Sequence, residues 1–231
     1  MSRIPRQRLG HGVYHVYNRA NDRKWIFDSD QDKRKFLELL TRFSERFAIN
    51  TYHWVIMSNH FHLAVEVIDQ RKLSSWMSKA CSRYSVYYHK THGGTGRLWE
   101  DRFKTILIQK SGYLCQLGRY IERNPLRAQI TGIENAWDYG WSSARSFCCK
   151  EDDPLVDKKS CFFWQEMGDN DDVRRNVYRQ YLLDEREREI EENLFRSSKK
   201  AIGDKVFLGN VDWQYGRIGA RKVGRPRSVI K

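Results

Sequence analysis

Two apolar, strand-like runs, Asn50–Met57 and His60–Val67, are separated by only two residues. This spacing leaves room for little more than a tight turn, so it predicts an antiparallel hairpin. Strand side chains alternate between the two faces of a sheet, so the imidazoles of His60 and His62 should share one face. The hairpin therefore constrains the local fold and pairs two candidate metal ligands.

The rest of the chain up to about residue 124 alternates between strand-like and helix-like patterns. The predicted elements are a strand at Val13–Tyr17, a helix capped by Asp30 and reaching Phe47, a helix at about Leu73–His89, a strand near Phe103–Gln109 and a helix at about Gly112–Arg123. With the hairpin, the order is strand, helix, strand, strand, helix, strand and a further helix. This order predicts an α+β fold, a ferredoxin-like antiparallel sheet with helices covering one face.

The chain divides by composition into three predicted segments. Residues 1–150 would form the catalytic domain, 151–196 an acidic linker with a charged helix from Asp172 to Phe195, and 197–231 a basic tail. The segments carry formal charges of +12, −6 and +7.

The chain as a whole is strongly basic, with 42 Lys and Arg against 29 Asp and Glu, a net charge of +13 and a pI near 9.6. A basic surface can serve solubility alone, but an acidic segment interleaved between two basic ones argues against a uniform solubility bias. The charge pattern therefore favours a polyanion, above all nucleic acid, as the partner.

The sequence shows no secretory or membrane-spanning pattern, which predicts a cytoplasmic protein with no membrane partner. The five cysteines show no CxxC pair and are interpreted as free thiols of a reducing compartment. A zinc site on Cys148, Cys149 and Cys161 is an alternative, although adjacent cysteines are poorly spaced for structural zinc.

The candidate chemistry rests on two pairs of residues. His60 and His62 have the geometry of a bidentate metal site, but two half-buried histidines on a strand are an equally simple interpretation. Tyr120 and Asn124 stand four residues apart, so they should share one helix face and could supply a hydroxyl and a third ligand oxygen. Alternatively, Tyr120 is a core aromatic and Asn124 a helix end, since Pro125 disfavours helical geometry before it.

Four ordered blocks within about residues 12–143 give these residues a context: Tyr14–Ala20, Trp54–His62, Gly96–Lys104 and Tyr120–Ala128. Together these blocks resemble the REP-associated tyrosine transposases of the HUH endonuclease superfamily. The resemblance implies single-stranded or hairpin DNA of the REP type as substrate, Mg²⁺ or Mn²⁺ as cofactor, and a monomer rather than a homodimer. It also implies that His60, His62 and Asn124 bind the metal.

The same resemblance makes Tyr120 the nucleophile of DNA cleavage and strand transfer. A 5′-phosphotyrosine and a free 3′-hydroxyl would form, and a second 3′-hydroxyl could reverse the reaction without ATP. Three other functions remain open: a transposase-derived DNA- or RNA-binding regulator that no longer cuts, a metal-free phosphoesterase with paired histidine motifs, and a replication initiator or relaxase. The second would need two histidine motifs, and the sequence has one.

Further basic and aromatic residues are predicted to contact DNA. They are Arg19 and Arg23 after the first strand, the cluster Arg97, Trp99, Arg102, Phe103 and Lys104, and Arg221, Lys222, Arg225 and Arg227 of the tail. The tail contains Gly-Arg-Pro-Arg, which is similar to an AT-hook for the A·T minor groove, although a nonspecific electrostatic tail is an alternative. The acidic segment could instead occupy the basic surface of residues 1–150 and inhibit the protein.

Overall fold

The computed structural model describes residues 10–186, 188–195 and 199–215. The strands are β1 Gly12–Arg19, β2 Ile49–Ile56, β3 His60–Val67, β4 Lys104–Ile108 and β5 Ala201–Ile202. The helices are α1 Asp30–Phe47, α2 Gln70–His92, α3 Gly112–Glu122, α4 Asn124–Arg127, α5 Ala144–Cys148, α6 Phe162–Glu166, α7 Asp171–Leu183, α8 Arg188–Phe195 and α9 Lys205–Tyr215. The predicted DNA contacts of the tail, Arg221, Lys222, Arg225 and Arg227, lie outside the described residues.

The five strands form one sheet in the order β2-β3-β1-β4-β5. The first four pair antiparallel, and with α1 and α2 they follow the ferredoxin-like order that the sequence predicted. The fifth strand, only two residues long, pairs parallel with β4 and makes the sheet mixed. The predicted α+β, ferredoxin-like class is therefore confirmed.

Helices cover both faces of the sheet, which corrects the expectation that one face would be covered. On one face, side chains such as Tyr14 and Phe61 form a first core with α1 and α2. On the other face, side chains such as Val13 and Ala64 form a second core with α3 and α5–α8. The second face is covered because α3 crosses β2 and β3 there.

Two helix boundaries differ from their predictions for local reasons. Ser29, not Asp30, caps α1, because its hydroxyl accepts a hydrogen bond from the Asp32 amide while the Asp32 carboxylate accepts one from Ser29. The second helix continues to His92, into the predicted turn, and ends where Gly93 takes a left-handed φ of 74°.

The acidic segment contains α6, α7 and α8 rather than a single charged helix. Trp164, Tyr178 and Phe195 from these helices are buried in the second core. The predicted boundaries at residues 150 and 196 remain predictions, but residues 151–195 contribute core side chains to the fold.

All five cysteines are free thiols, and burial raises the pKa of Cys148 and Cys161 well above the ordinary range. Within the described ranges, Cys148, Cys149 and Cys161 do not belong to any group of three or more His, Cys, Asp or Glu side chains that could hold a metal ion, so the zinc alternative finds no support. None of the described helices is both long and apolar enough to cross a membrane.

The close approach of α3 to β2 depends on a glycine, Gly118, which lies against the His53 ring. A methyl group there would lie 2.4 Å from the His53 Nε2 atom, and His53 is fully buried. We expect Gly118→Ala to lower the free energy of unfolding by about 1–3 kcal/mol, because overpacking exceeds the helix-propensity gain of alanine. Urea denaturation followed by circular dichroism measures the change.

Gly112→Ala in the same helix is the matched control, since its added methyl group would meet no atom within 4 Å. We expect its unfolding midpoint to stay the same or rise slightly. Equal midpoints for the two variants would contradict the close approach.

Candidate active site

The histidine pair lies on β3, and both imidazoles face α3. Their ring centroids are 5.2 Å apart with perpendicular planes, while the Phe61 side chain between them is buried in the first core. This is the arrangement that strand alternation predicted.

Tyr120 of α3 lies across from this pair, with its ring centroid 5.8 Å from that of His62. Asn124 begins α4 directly after α3, and Pro125 occupies the first turn, where its missing N–H costs little. The Asn124 amide nitrogen donates to the carbonyl oxygens of Tyr120 and Ile121 at 3.0 and 3.1 Å, so its oxygen is left to contact His60. The structure thus brings together all four residues that the sequence singled out, despite the proline.

His15 of β1 is a site residue that the sequence reasoning set aside. Its Nε2 atom lies 2.8 Å from the His62 Nδ1 atom, and its side chain is fully buried between Tyr17 and Tyr120. Alternation along β1 could have placed His15 and Tyr17 on one face. It could not have shown that β1 lies beside β3 in the register that joins the two histidines.

Two of these histidines, His60 and His15, are neutral near pH 7. Burial lowers the pKa of His60 to about 4, assisted by the positive charge of Arg19. Burial also lowers the pKa of His15 to about 3, and Arg127 lowers it further. Neutral imidazole is the form that binds a metal.

The donor atoms around His60 fit a divalent cation. The Asn59 amide nitrogen donates to the Arg23 carbonyl at 3.2 Å, so its oxygen faces His60 Nδ1 at 2.7 Å and accepts that ring proton. The other nitrogen of the neutral ring then carries a lone pair, and the Asn124 oxygen beside it is also an acceptor. Two acceptors that face each other suit a cation between them, with His62 as a further ligand.

Three basic side chains lie around Tyr120 and the histidines. The Arg127 guanidinium carbon lies 4.1 Å from the Tyr120 ring centroid, and Arg127 was not singled out although it belongs to the Tyr120–Ala128 block. Lys104 Nζ lies 5.9 Å from the Tyr17 ring centroid, and Arg19 forms an exposed ion pair with Glu100 at 2.7 Å. These charges give the site a positive rim suited to phosphate.

Two predicted stacking residues pack against the first core. The Trp99 indole N–H donates to Ser85 Oγ at 3.1 Å and its partly buried ring packs against Phe27, while Phe103 is 7% exposed. Contact of these rings with DNA bases stays a prediction. Arg97 and Arg102 are exposed and line a cavity of about 710 Å³ beside α2, on the sheet face opposite Tyr120.

The C-terminal helices cover the nucleophile candidate. The Phe195 ring centroid lies 5.2 Å from that of Tyr120, which is only 4% exposed. Arg119 of α3 forms a buried ion pair with Glu191 of α8 at 2.6 Å, and Arg123 pairs with Glu185 at 2.7 Å. Acidic residues of the C-terminal segment thus form ion pairs with basic residues in α3 and directly after it.

Comparisons with known proteins agree with this geometry. A family model described as "Transposase IS200 like" matches residues 10–124, and through this region the chain belongs to the IS200-like transposase family. The range contains both histidines, Tyr120 and Asn124.

Two solved structures align with this chain as follows. A REP-associated tyrosine transposase bound to a REP hairpin aligns with a TM-score of 0.50 at 16% identity, over 62% of this chain and 82% of that one. A candidate transposase from Deinococcus radiodurans R1 aligns with a TM-score of 0.37 at 16% identity, over 50% of this chain and 92% of that one. No curated protein sequence matches the chain significantly.

Proposed function

We propose that this protein is a metal-dependent, single-stranded DNA endonuclease and strand transferase of the REP-associated group, with hairpin DNA as substrate. The observation that carries the proposal is the convergence of His60, His62, Tyr120 and Asn124 on one side of the sheet, within a chain of the IS200-like family. The fold similarity to a transposase that binds a REP hairpin supports the choice of DNA.

In the proposed reaction, Tyr120 acts as the nucleophile. Its hydroxyl loses a proton and its oxygen attacks the scissile phosphorus, forming a 5′-phosphotyrosine while the 3′-oxygen leaves and gains a proton. Arg127 favours this step because its permanent charge lies beside the Tyr120 ring, where it can offset negative charge that develops on the attacked phosphate.

A divalent cation held by His60, His62 and Asn124 would supply Lewis-acid activation and charge neutralisation at the phosphate. In this proposal, His15 orients the imidazole ring of His62. If His62 binds through Nε2, its Nδ1 proton is donated to His15 Nε2, which fixes the tautomer and the ring plane.

The nucleophile is tested by Tyr120→Phe with a hairpin-bearing single-stranded oligonucleotide and Mn²⁺. We expect the covalent protein–DNA adduct on a denaturing gel to disappear because no hydroxyl remains, while DNA binding persists. EDTA should likewise abolish the adduct formed by the unchanged protein.

Tyr17→Phe is the matched variant, because Tyr17 is the other tyrosine in ring contact with His62, with ring centroids 5.5 Å apart. It should retain the adduct. Loss of the adduct in Tyr17→Phe but not in Tyr120→Phe would overturn the assignment, and DNA binding without any adduct would favour the non-cleaving regulator.

The role of His15 is tested by His15→Phe, which keeps an aromatic ring but removes the acceptor for His62. We expect Mn²⁺ affinity, measured by electron paramagnetic resonance of the free ion, to fall about 10- to 100-fold. His11→Phe, whose side chain is 65% exposed outside β1, should bind Mn²⁺ unchanged. Equal affinities in the two variants would exclude a positioning role.

The proposed inhibition by the C-terminal segment is tested by Phe195→Ala. Deleting residues 151–196 would remove core side chains such as Trp164 and Tyr178, so a point substitution is the cleaner test. We expect several-fold more adduct at early times, because uncovering Tyr120 lowers the cost of admitting DNA. Loss of stability would reduce the adduct, so only a gain supports inhibition; Asn193→Ala, exposed on the same helix, should change nothing.

A further inference from the structure

Trp25 lies in the loop between β1 and α1, and 65% of its surface is exposed. Among the described side chains, it is the only aromatic one with such exposure. Its neighbours Ile26 and Phe27 are buried in the first core, so the chain turns Trp25 outward while anchoring the residues that follow. Trp is rarely left so exposed unless a ligand uses it.

The loop that carries Trp25 is held against the turn of the β2–β3 hairpin. The Ala20 amide donates to the Asn59 carbonyl at 2.8 Å, and the Phe27 amide donates to the Ser58 carbonyl at 2.9 Å. Between these two attachments, Asp22 and Arg23 both take left-handed φ angles, of 53° and 55°. Strained, doubly attached backbone of this kind is retained where the surrounding structure fixes a side chain in place.

One side chain joins this loop to the candidate metal site. The Asn59 amide nitrogen donates to the Arg23 carbonyl, and the Asn59 oxygen accepts from His60. The position of the Trp25 loop and the ring orientation of His60 are therefore set by the same amide group.

The charge beside the ring indicates the kind of ligand. Arg23 and Lys24 immediately precede Trp25 and are exposed, so an aromatic face stands next to two cations. An unpaired nucleotide offers a base that stacks on a ring and a phosphate that binds the cations. In a duplex the base faces are already covered by their neighbours in the stack.

We propose that Trp25 is a stacking platform for an unpaired base of the DNA strand that enters the site at His60, with Arg23 and Lys24 binding the adjacent phosphates. This inference rests on the proposed function and adds to it the side chain that selects single-stranded over duplex DNA. The Asn59 bridge connects the occupied platform to the ligand His60.

The test compares Trp25→Ala and Trp25→Phe in the Tyr120→Phe protein, so that binding is measured without cleavage. The probes are single-stranded oligonucleotides of random sequence, since stacking tolerates any base, and a blunt duplex of the same length. Fluorescence anisotropy should show Trp25→Ala binding the single strand about 5- to 100-fold more weakly, with a smaller loss for Trp25→Phe. Duplex affinity should stay unchanged because the cations remain.

Ile68→Ala is the matched control, since Ile68 is 68% exposed and directly follows β3 at the end of that strand remote from His60. It should bind both probes like the parent protein. Unchanged single-strand affinity in Trp25→Ala, or equal losses on both probes, would overturn the platform.

The two proposals fail separately. The unchanged protein could form no adduct while Trp25→Ala still weakens single-strand binding. That result would support the stacking platform and contradict the nuclease. Conversely, the unchanged protein could form the adduct normally while Trp25→Ala leaves single-strand binding unchanged. That result would support the nuclease and contradict the stacking platform.

Discussion

The antiparallel register between β1 and β3 is the constraint on which the site depends. It places Arg19 opposite His60 and Tyr17 opposite His62. His15, two residues before Tyr17, lies on the same face of the sheet. A slip of one residue would turn every β1 side chain to the other face and remove the His15–His62 hydrogen bond. Both strands are central in the sheet and covered on both faces, so burial of their apolar side chains fixes this register.

The second requirement is that α3 keeps its position over those strands, and a buried carboxylate provides it. Glu122 is 0% exposed and accepts hydrogen bonds from Tyr178 at 2.7 Å and Ser143 at 2.6 Å, with His53 Nδ1 at 2.9 Å. These partners come from α7, the start of α5 and β2. A buried polar network with several partners is costly to disturb, so it fixes the helix that carries Tyr120 two residues earlier.

The sequence was sufficient where the chemistry follows from spacing within one element. Alternation paired His60 with His62, and helical spacing paired Tyr120 with Asn124 although Pro125 follows directly. It was insufficient where the contact joins elements distant in the chain, as for His15, which becomes part of the site only through strand pairing. Trp99 shows a related limit: cations flank it in the sequence, but the packing of its partly buried ring against the first core depends on contacts between elements distant in the chain.

The charge pattern also changes meaning once the fold is known. Part of the basic excess of residues 1–150 is already paired within the fold, because Arg119 of α3 and Arg123 just after it pair with acidic residues of the C-terminal segment. The Arg119–Glu191 pair is almost fully buried, and separating it would leave an uncompensated charge. DNA phosphates can replace the exposed Glu185 partner far more easily than the buried Glu191. Under the proposed inhibition, the C-terminal cover over Tyr120 would therefore have a weak edge near Arg123 and a strong anchor at Arg119, and opening would begin at the edge.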